Sequence, residues 1–377
     1  MEGADAHSRL LEIPVGASGR LLTSAAVRGY PGAAPGLQEL LAAVPSLTGR
    51  VADVTGSAGG GALAAGAAAQ VTVLEPSYAA LRAARRRFAD AAGVTVRAGL
   101  PWDLPAAAFD AVLALPPGDR GNDRVRAELW ACARALVAGG TAYLAMHKDL
   151  GARRYERVAE EAFASVEVVA RSKGWRVAQL TGPRPADPEG AEDAVPWRRF
   201  EALGRSWWAL AGVFAARGLD AGSAELLAAL AERGEAPLAG AEVLDLGCGS
   251  GVLAALALAS GASRVCAVDD DLGAVRSSER NLGGGPAVVL HSDLDAALAP
   301  RERFDAVLAN PPFHVGKQVR LALSRAFVEA ARTRLRPGGE LLMVANRALP
   351  YERELAGWGA FETVRVAGAF KVLRARR

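Results

Sequence analysis

Along the second half of the chain, short apolar runs alternate with longer Ala/Leu-rich helical stretches. The runs are VLDLG from Val243, RVCAVD from Arg264, AVVLHSD from Ala287, FDAVLAN from Phe304, ELLMVAN from Glu340 and FKVLRA from Phe370. Strand-length apolar runs separated by helical stretches predict βαβ units around a mostly parallel sheet. Each of the first four runs ends in a Gly or polar residue, at the strand end where an open α/β sheet carries its ligand site.

The same pattern occurs twice. FDAVLALPPGDRG at Phe109 to Gly121 returns as FDAVLANPPFHVG at Phe304 to Gly316, an offset of 304 − 109 = 195. In the same order Asp53 matches Asp245 (192), Glu75 matches Asp269 (194), Gly139 matches Gly338 (199) and Trp175 matches Phe370 (195). Ordered matches at a nearly constant offset indicate tandem duplication of one domain. The stretch TGPRPADPEGAEDAVP, Thr181 to Pro196, has neither helical nor strand periodicity and reads as the junction. The expected domains are 1–182 and 198–377, joined by a linker at 183–197.

Composition sharpens the picture only in places. With 377 residues, 51% of them hydrophobic, the chain can fill two cores. No apolar run reaches the roughly 18 residues of a membrane span. The start MEGADAHSRL lacks the features of a signal peptide, so a cytoplasmic protein is expected. Cys132, Cys248 and Cys266 show no paired spacing, so neither a metal site nor a disulfide framework is expected. A net charge of +3 is too small to hold a polyanion by itself. Any such affinity must come from local clusters: Arg82 with Arg85 to Arg87, Arg198 with Arg199, Arg332 with Arg334 and Arg336, or Arg374 with Arg376 and Arg377. Each of these reads equally well as a solvated helix face.

Two segments carry chemistry. In VLDLGCGSG the glycines at 247, 249 and 251, with Cys248 between them, sit at a strand-to-helix turn where the backbone can approach a ligand. Asp245 inside this motif would repel a pyrophosphate but suits the ammonium of a methionine moiety. Asp269, with Asp270 beside it, stands about 20 residues past the glycines, where an acid accepts ribose hydroxyls. Ser292 and Asp293 end the third run; Asp293 could take an adenine amino group or cap the following helix.

The second segment is Asn310-Pro311-Pro312-Phe313. An exocyclic base amine is a weak nucleophile because its lone pair is delocalised into the ring. The Asn310 side-chain oxygen and the Pro311 carbonyl can accept its two N–H bonds and turn the lone pair toward a methyl donor. Pro312 stiffens the turn, Phe313 offers a stacking face, and His314 could contact a phosphate. In the first copy Leu115 replaces Asn310 and Gly118 replaces Phe313, so that copy is expected to be inactive.

Together VLDLGCGSG, NPPFH, LRPGGELLMVAN, GAFKVLRA and GVFAARGLDAGSAELL resemble the ribosomal RNA guanine-N2 methyltransferases of the RsmC type, over nearly the whole chain. The resemblance implies an α/β fold of two tandem Rossmann-like class I methyltransferase domains, each a mostly parallel seven-stranded sheet with helices on both faces. It implies S-adenosylmethionine as cofactor and a guanine of 16S ribosomal RNA, in the 30S subunit or an assembly intermediate, as target of a monomeric enzyme. It also places Asp220, Gly222 and Ser223 near the cofactor, although these residues equally suit a helix start. A large-subunit guanine, adenine-N6 of DNA and glutamine-N5 of protein are alternative acceptors, and an RNA-binding assembly factor without activity is the alternative of another class.

Overall fold

The structure, a computed structural model, describes residues 7–15, 19–27, 29–184, 195–312 and 317–377, apart from the side chains of 317–322. The chain forms two compact units, Leu10–Trp197 and Arg198–Arg377, and the second also takes in the described residues His7–Arg9. Most of the expected linker, residues 185–194, lies outside the described residues.

The N-terminal unit opens with a hairpin, β1 (Leu11–Val15) and β2 (Gly19–Thr23). Its main sheet is built from β3 (Arg50–Val54), β4 (Gln70–Glu75), β5 (Val94–Ala98), β6 (Phe109–Ala114), β7 (Leu136–His147), β8 (Phe163–Ser172) and β9 (Trp175–Pro183). Their order is β5-β4-β3-β6-β7-β9-β8. The C-terminal unit repeats this plan. A hairpin of β10 (Trp197–Ala202) and β11 (Arg205–Leu210) precedes β12 (Glu242–Leu246), β13 (Arg264–Asp269), β14 (Ala287–His291), β15 (Phe304–Ala309), β16 (Leu335–Asn346), β17 (Ala360–Ala367) and β18 (Phe370–Arg376). These seven follow the order β14-β13-β12-β15-β16-β18-β17.

Pairing is parallel from β14 through β16, and β18 runs antiparallel to both β16 and β17. Both sheet faces are covered. Leu244, Leu246 and Val307 pack into one core, while Val243, Ala306 and Leu308 pack with Leu226 and Leu230 of the helix Ala221–Ala231 into the other. Covering both faces is what makes the inner strands read as continuous apolar runs. Strand β17 has mostly exposed positions and no apolar run, so its periodicity gave no sign of it. Strand β16 begins at Leu335, before the ELLMVAN run, and a register shift near Gly338 (φ 79°) accommodates the extra residues.

Sheet order fixes the place of the site. From β12 the chain crosses to β13 on one side, while β15 inserts on the other, which opens a crevice at the carboxyl ends of β12 and β15. Leu246 pairs with Ala309 across those strands, so the next residues, Gly247 and Asn310, leave the sheet side by side. Among the described residues no helix is long and apolar enough to cross a membrane, and no cluster of potential metal ligands occurs.

Candidate active site

The turn after β12 needs its glycines. Gly247, Gly249 and Gly251 have φ of 83°, 57° and 81°, a region that L side chains enter only with strain. A Cβ on Gly251 would also lie 3.1 Å from Ser278 Cα. The turn is pinned by Gly247 and Cys248 N–H groups donating to the Val268 carbonyl and by the Gly249 N–H donating to Asp269 Oδ2 at 2.9 Å. Cys248 turns its thiol inward to Ser278, and burial pushes that thiol well above its ordinary range. It therefore offers the site its backbone rather than a nucleophile.

Above this turn lies an open cleft whose lining includes Phe214, Asp220, Ser223, Gly247, Gly249 and Asn310. Asp220 is the N-cap of the helix Ala221–Ala231, accepting from the Ser223 N–H at 3.1 Å. The same oxygen accepts from Asn310 Nδ2 at 3.1 Å, and Ser223 Oγ accepts from Nδ2 at 3.0 Å. A carboxylate only accepts, so these contacts fix which end of the amide is nitrogen. Asn310 Oδ1 is left buried without a partner among the described residues. Gly222 permits this approach, because a Cβ there would sit 3.3 Å from the Phe370 ring and 3.5 Å from Asn310 Oδ1. Asp220, Gly222 and Ser223 start a helix, and Asp220 and Ser223 also line the cleft.

Asp245 does not line the cleft. It is fully buried beneath the glycine turn, where Oδ2 accepts the Ala254 N–H at 3.0 Å and Oδ1 has no partner among the described residues. Desolvation pushes its carboxyl up to about 7, and the nearby charge of Asp269 adds to the rise. Asp269, half buried at the end of β13, accepts one backbone N–H on each oxygen, from Gly249 and Asp271. The carbonyl of Asp270 meets His291 Nε2 at 2.8 Å.

Ser292 follows β14. Its buried hydroxyl is taken up within its own turn, donating to the Leu294 carbonyl and accepting from the Ala297 N–H. Asp293 does not cap a helix with its side chain but meets His7 Nε2 at 3.1 Å. Leu294 directly after it is held at φ 50°. Pro311 is buried and Pro312 exposed, while Phe313 and His314 lie outside the described residues.

The first copy shows what closure looks like. Gly59 N–H donates to Glu75 Oε1 at 2.7 Å, as Gly249 does to Asp269. Asp53, the match of Asp245, has both oxygens satisfied, by Thr55 and the Ala62 N–H. Leu115 is buried where Asn310 would stand, and a Cβ on Gly118 would lie 2.5 Å from the Leu150 carbonyl, leaving no room for an aromatic ring.

Most of the arginine clusters turn out to knit the surface. Arg334 pairs with Asp295, Arg336 with Asp305 and Glu242, Arg374 with Glu340 and Glu362, and Arg199 with Glu201. Arg85 and Arg86 are exposed. Two residues at the site escaped the sequence reading. Phe214, 55% exposed at the cleft, sits in a loop between Gly212 and Gly218, inside the apolar stretch WWALAGVFAA, so nothing local set it apart from core residues. His7 gave no local signal at all.

The model of the methyltransferase small domain matches residues 19–179 and again 205–374. The ribosomal RNA small subunit methyltransferase C of Salmonella choleraesuis (strain SC-B67) is 39% identical over 184 residues, covering 45% of this chain and 52% of that protein. The protein of the same name from Salmonella gallinarum is 38% identical over 182 residues. The chain thus spans about half the length of the curated relatives it matches. The solved T. thermophilus 16S rRNA N2 G1207 methyltransferase (RsmC), in complex with AdoMet and guanosine, is 40% identical, with a TM-score of 0.88 over 99% of both chains. Two matches to one domain model, spanning most of the sequence at the spacing of the internal repeat, mean that this chain belongs to the methyltransferase small domain family and carries that domain twice.

Proposed function

We propose that the chain transfers a methyl group from S-adenosylmethionine to the exocyclic N2 amine of a guanine in 16S ribosomal RNA, the counterpart of the G1207 named for the T. thermophilus relative. The observation that carries the reading is the orphaned Asn310 Oδ1, held by Asp220 and Ser223 beside the glycine turn. A buried acceptor without a partner costs about 1–3 kcal/mol unless a donor arrives, and a base amine is such a donor.

The cofactor fits the residues present. The buried carboxyl of Asp245 lies beneath the turn, and a cationic group seated in the cleft above it would favour its ionised form without touching it. Asp269 would hold the ribose hydroxyls, Asp293 the adenine amino group, and the backbone of Gly247 to Gly251 the remainder. When bound, S-adenosylmethionine supplies an electrophilic methyl group on a sulfonium. The chain's own task is then positioning. Asn310 Oδ1 accepts one amine N–H and the Pro311 carbonyl the other, which aims the nitrogen lone pair across the cleft. Phe214, exposed at the rim, offers the flat face on which the extruded base rests. No nucleophilic side chain is required, in keeping with the inward-facing Cys248.

The first copy, with its acid internally satisfied and Leu115 in place of the amide, serves as a non-catalytic partner. A ribosomal substrate, in the 30S subunit or an assembly intermediate, fits a cytoplasmic enzyme acting as a monomer. Incubation of the purified chain and labelled cofactor with unmethylated 30S subunits, naked 16S RNA, DNA and a protein acceptor tests the proposal. N2-methylguanosine in the RNA alone is the expected product, and label confined to DNA or protein refutes the substrate.

A further inference from the structure

Three buried side-chain polar atoms of the C-terminal unit lack a hydrogen-bond partner among the described residues: Asp245 Oδ1, Asn310 Oδ1 and His7 Nδ1. The first two belong to the site just described. The third belongs to a residue 286 positions from its partner, Asp293. His7 Nε2 stands 3.1 Å from Asp293 Oδ1, and each side chain is only 5% exposed. Because a carboxylate only accepts, Nε2 is the nitrogen that donates in this contact. Asp293 Oδ2 makes no hydrogen bond within the described residues.

From this arrangement we infer that His7 is a positioning residue of the cofactor site: it holds Asp293 oriented to accept the 6-amino group of the adenine ring. The inference rests on the reading of Asp293 as the adenine acceptor. Its physical basis is the division of labour between the two carboxylate oxygens. His7 occupies one and fixes the side chain's rotation, leaving the other for a donor from outside. A 6-amino purine supplies that donor, whereas a 6-oxo purine would set a carbonyl against a buried carboxylate, which is repulsive. The leading segment of the chain thus completes a site otherwise built from the second copy, and selects for adenine.

The test is calorimetric binding of S-adenosylmethionine, and of its deaminated 6-oxo counterpart, to the full chain and to the variants His7→Ala, His7→Gln, Asp293→Ala and the double alanine. Loss of a buried charge-assisted hydrogen bond predicts that Asp293→Ala weakens S-adenosylmethionine by about tenfold or more and flattens the preference over the 6-oxo compound. His7→Ala shifts both in the same direction, the double variant matches Asp293→Ala alone, and His7→Gln, which keeps an N–H donor, restores part of the preference. Melting curves without cofactor separate this from a folding defect; should His7→Ala melt early, the glutamine variant carries the comparison. Unchanged or tighter binding in His7→Ala, beside a loss in Asp293→Ala, overturns the role of His7 and leaves the cofactor reading intact. No loss in Asp293→Ala overturns the adenine assignment itself.

Discussion

Asn310 Nδ2 lies 3.1 Å from Asp220 Oδ1, and this contact between residues 90 positions apart decides which atom of the amide is left for a substrate. The orientation cannot invert, because the reversed amide would set oxygen against a carboxylate.

Asn310→Leu, which installs the residue of the first copy, removes the acceptor. Turnover is expected to fall by about 10²–10³-fold, the scale seen for a lost transition-state hydrogen bond, with cofactor affinity little changed. Single-turnover kinetics beside calorimetry separates the two, and undiminished turnover would falsify the proposed role.

Asp220→Asn keeps a side-chain oxygen for the Ser223 N–H but loses the charge that dictates the orientation of Asn310. We expect kcat to drop while the melting temperature stays within a degree or two, since the cap is kept. Asp220→Ala should lower both, the cap alone contributing about 1 kcal/mol. If the two variants lose activity only in proportion to stability, Asp220 is a cap and no more.

Asp245 has its carboxyl raised to about 7 by burial, against about 4 for an unfolded aspartate. Between those values the folded state binds the extra proton, so stability falls as pH rises from about 4 to 7 and levels off above. Asp245→Asn should flatten that slope in the absence of cofactor, as read from denaturant midpoints at pH 5, 6, 7 and 8. An unaltered slope assigns the pH dependence to other groups.

Gly251→Ala combines a left-handed φ of 81° with a Cβ 3.1 Å from Ser278 Cα, whereas the same change at Gly249 meets open space at φ 57°. The left-handed backbone alone costs roughly 1–2 kcal/mol, so both variants lose stability and Gly251→Ala loses more. Thermal melts rank them, and equal losses would mean that Ser278 gives way.

Phe214→Ala removes an exposed aromatic face from the cleft. Base stacking worth about 1–3 kcal/mol predicts a KM for RNA raised by about five- to 150-fold with the cofactor Kd unchanged. A Phe214→Tyr variant should behave like the parent, and a shift confined to the cofactor Kd would move Phe214 to the other ligand.

The amino-acid sequence by itself determined the duplicated α/β plan and the placing of the glycine turn and Asn310 at strand ends. It could do so because continuous apolar runs and Gly or Pro punctuation are local features, and local features survive in one dimension. The departures of the first copy at Leu115 and Gly118 were likewise visible. What only the tertiary structure decided is which groups meet. Strand β17 is an exposed edge strand with no period to betray it, and the hydroxyl of Ser292 bonds within its own turn. The pairs Asp220 with Asn310 and His7 with Asp293 join residues 90 and 286 positions apart. Hydrogen bonds of such separation are fixed by sheet order and by the path of the chain between elements, and neither is written in the spacing of nearby residues.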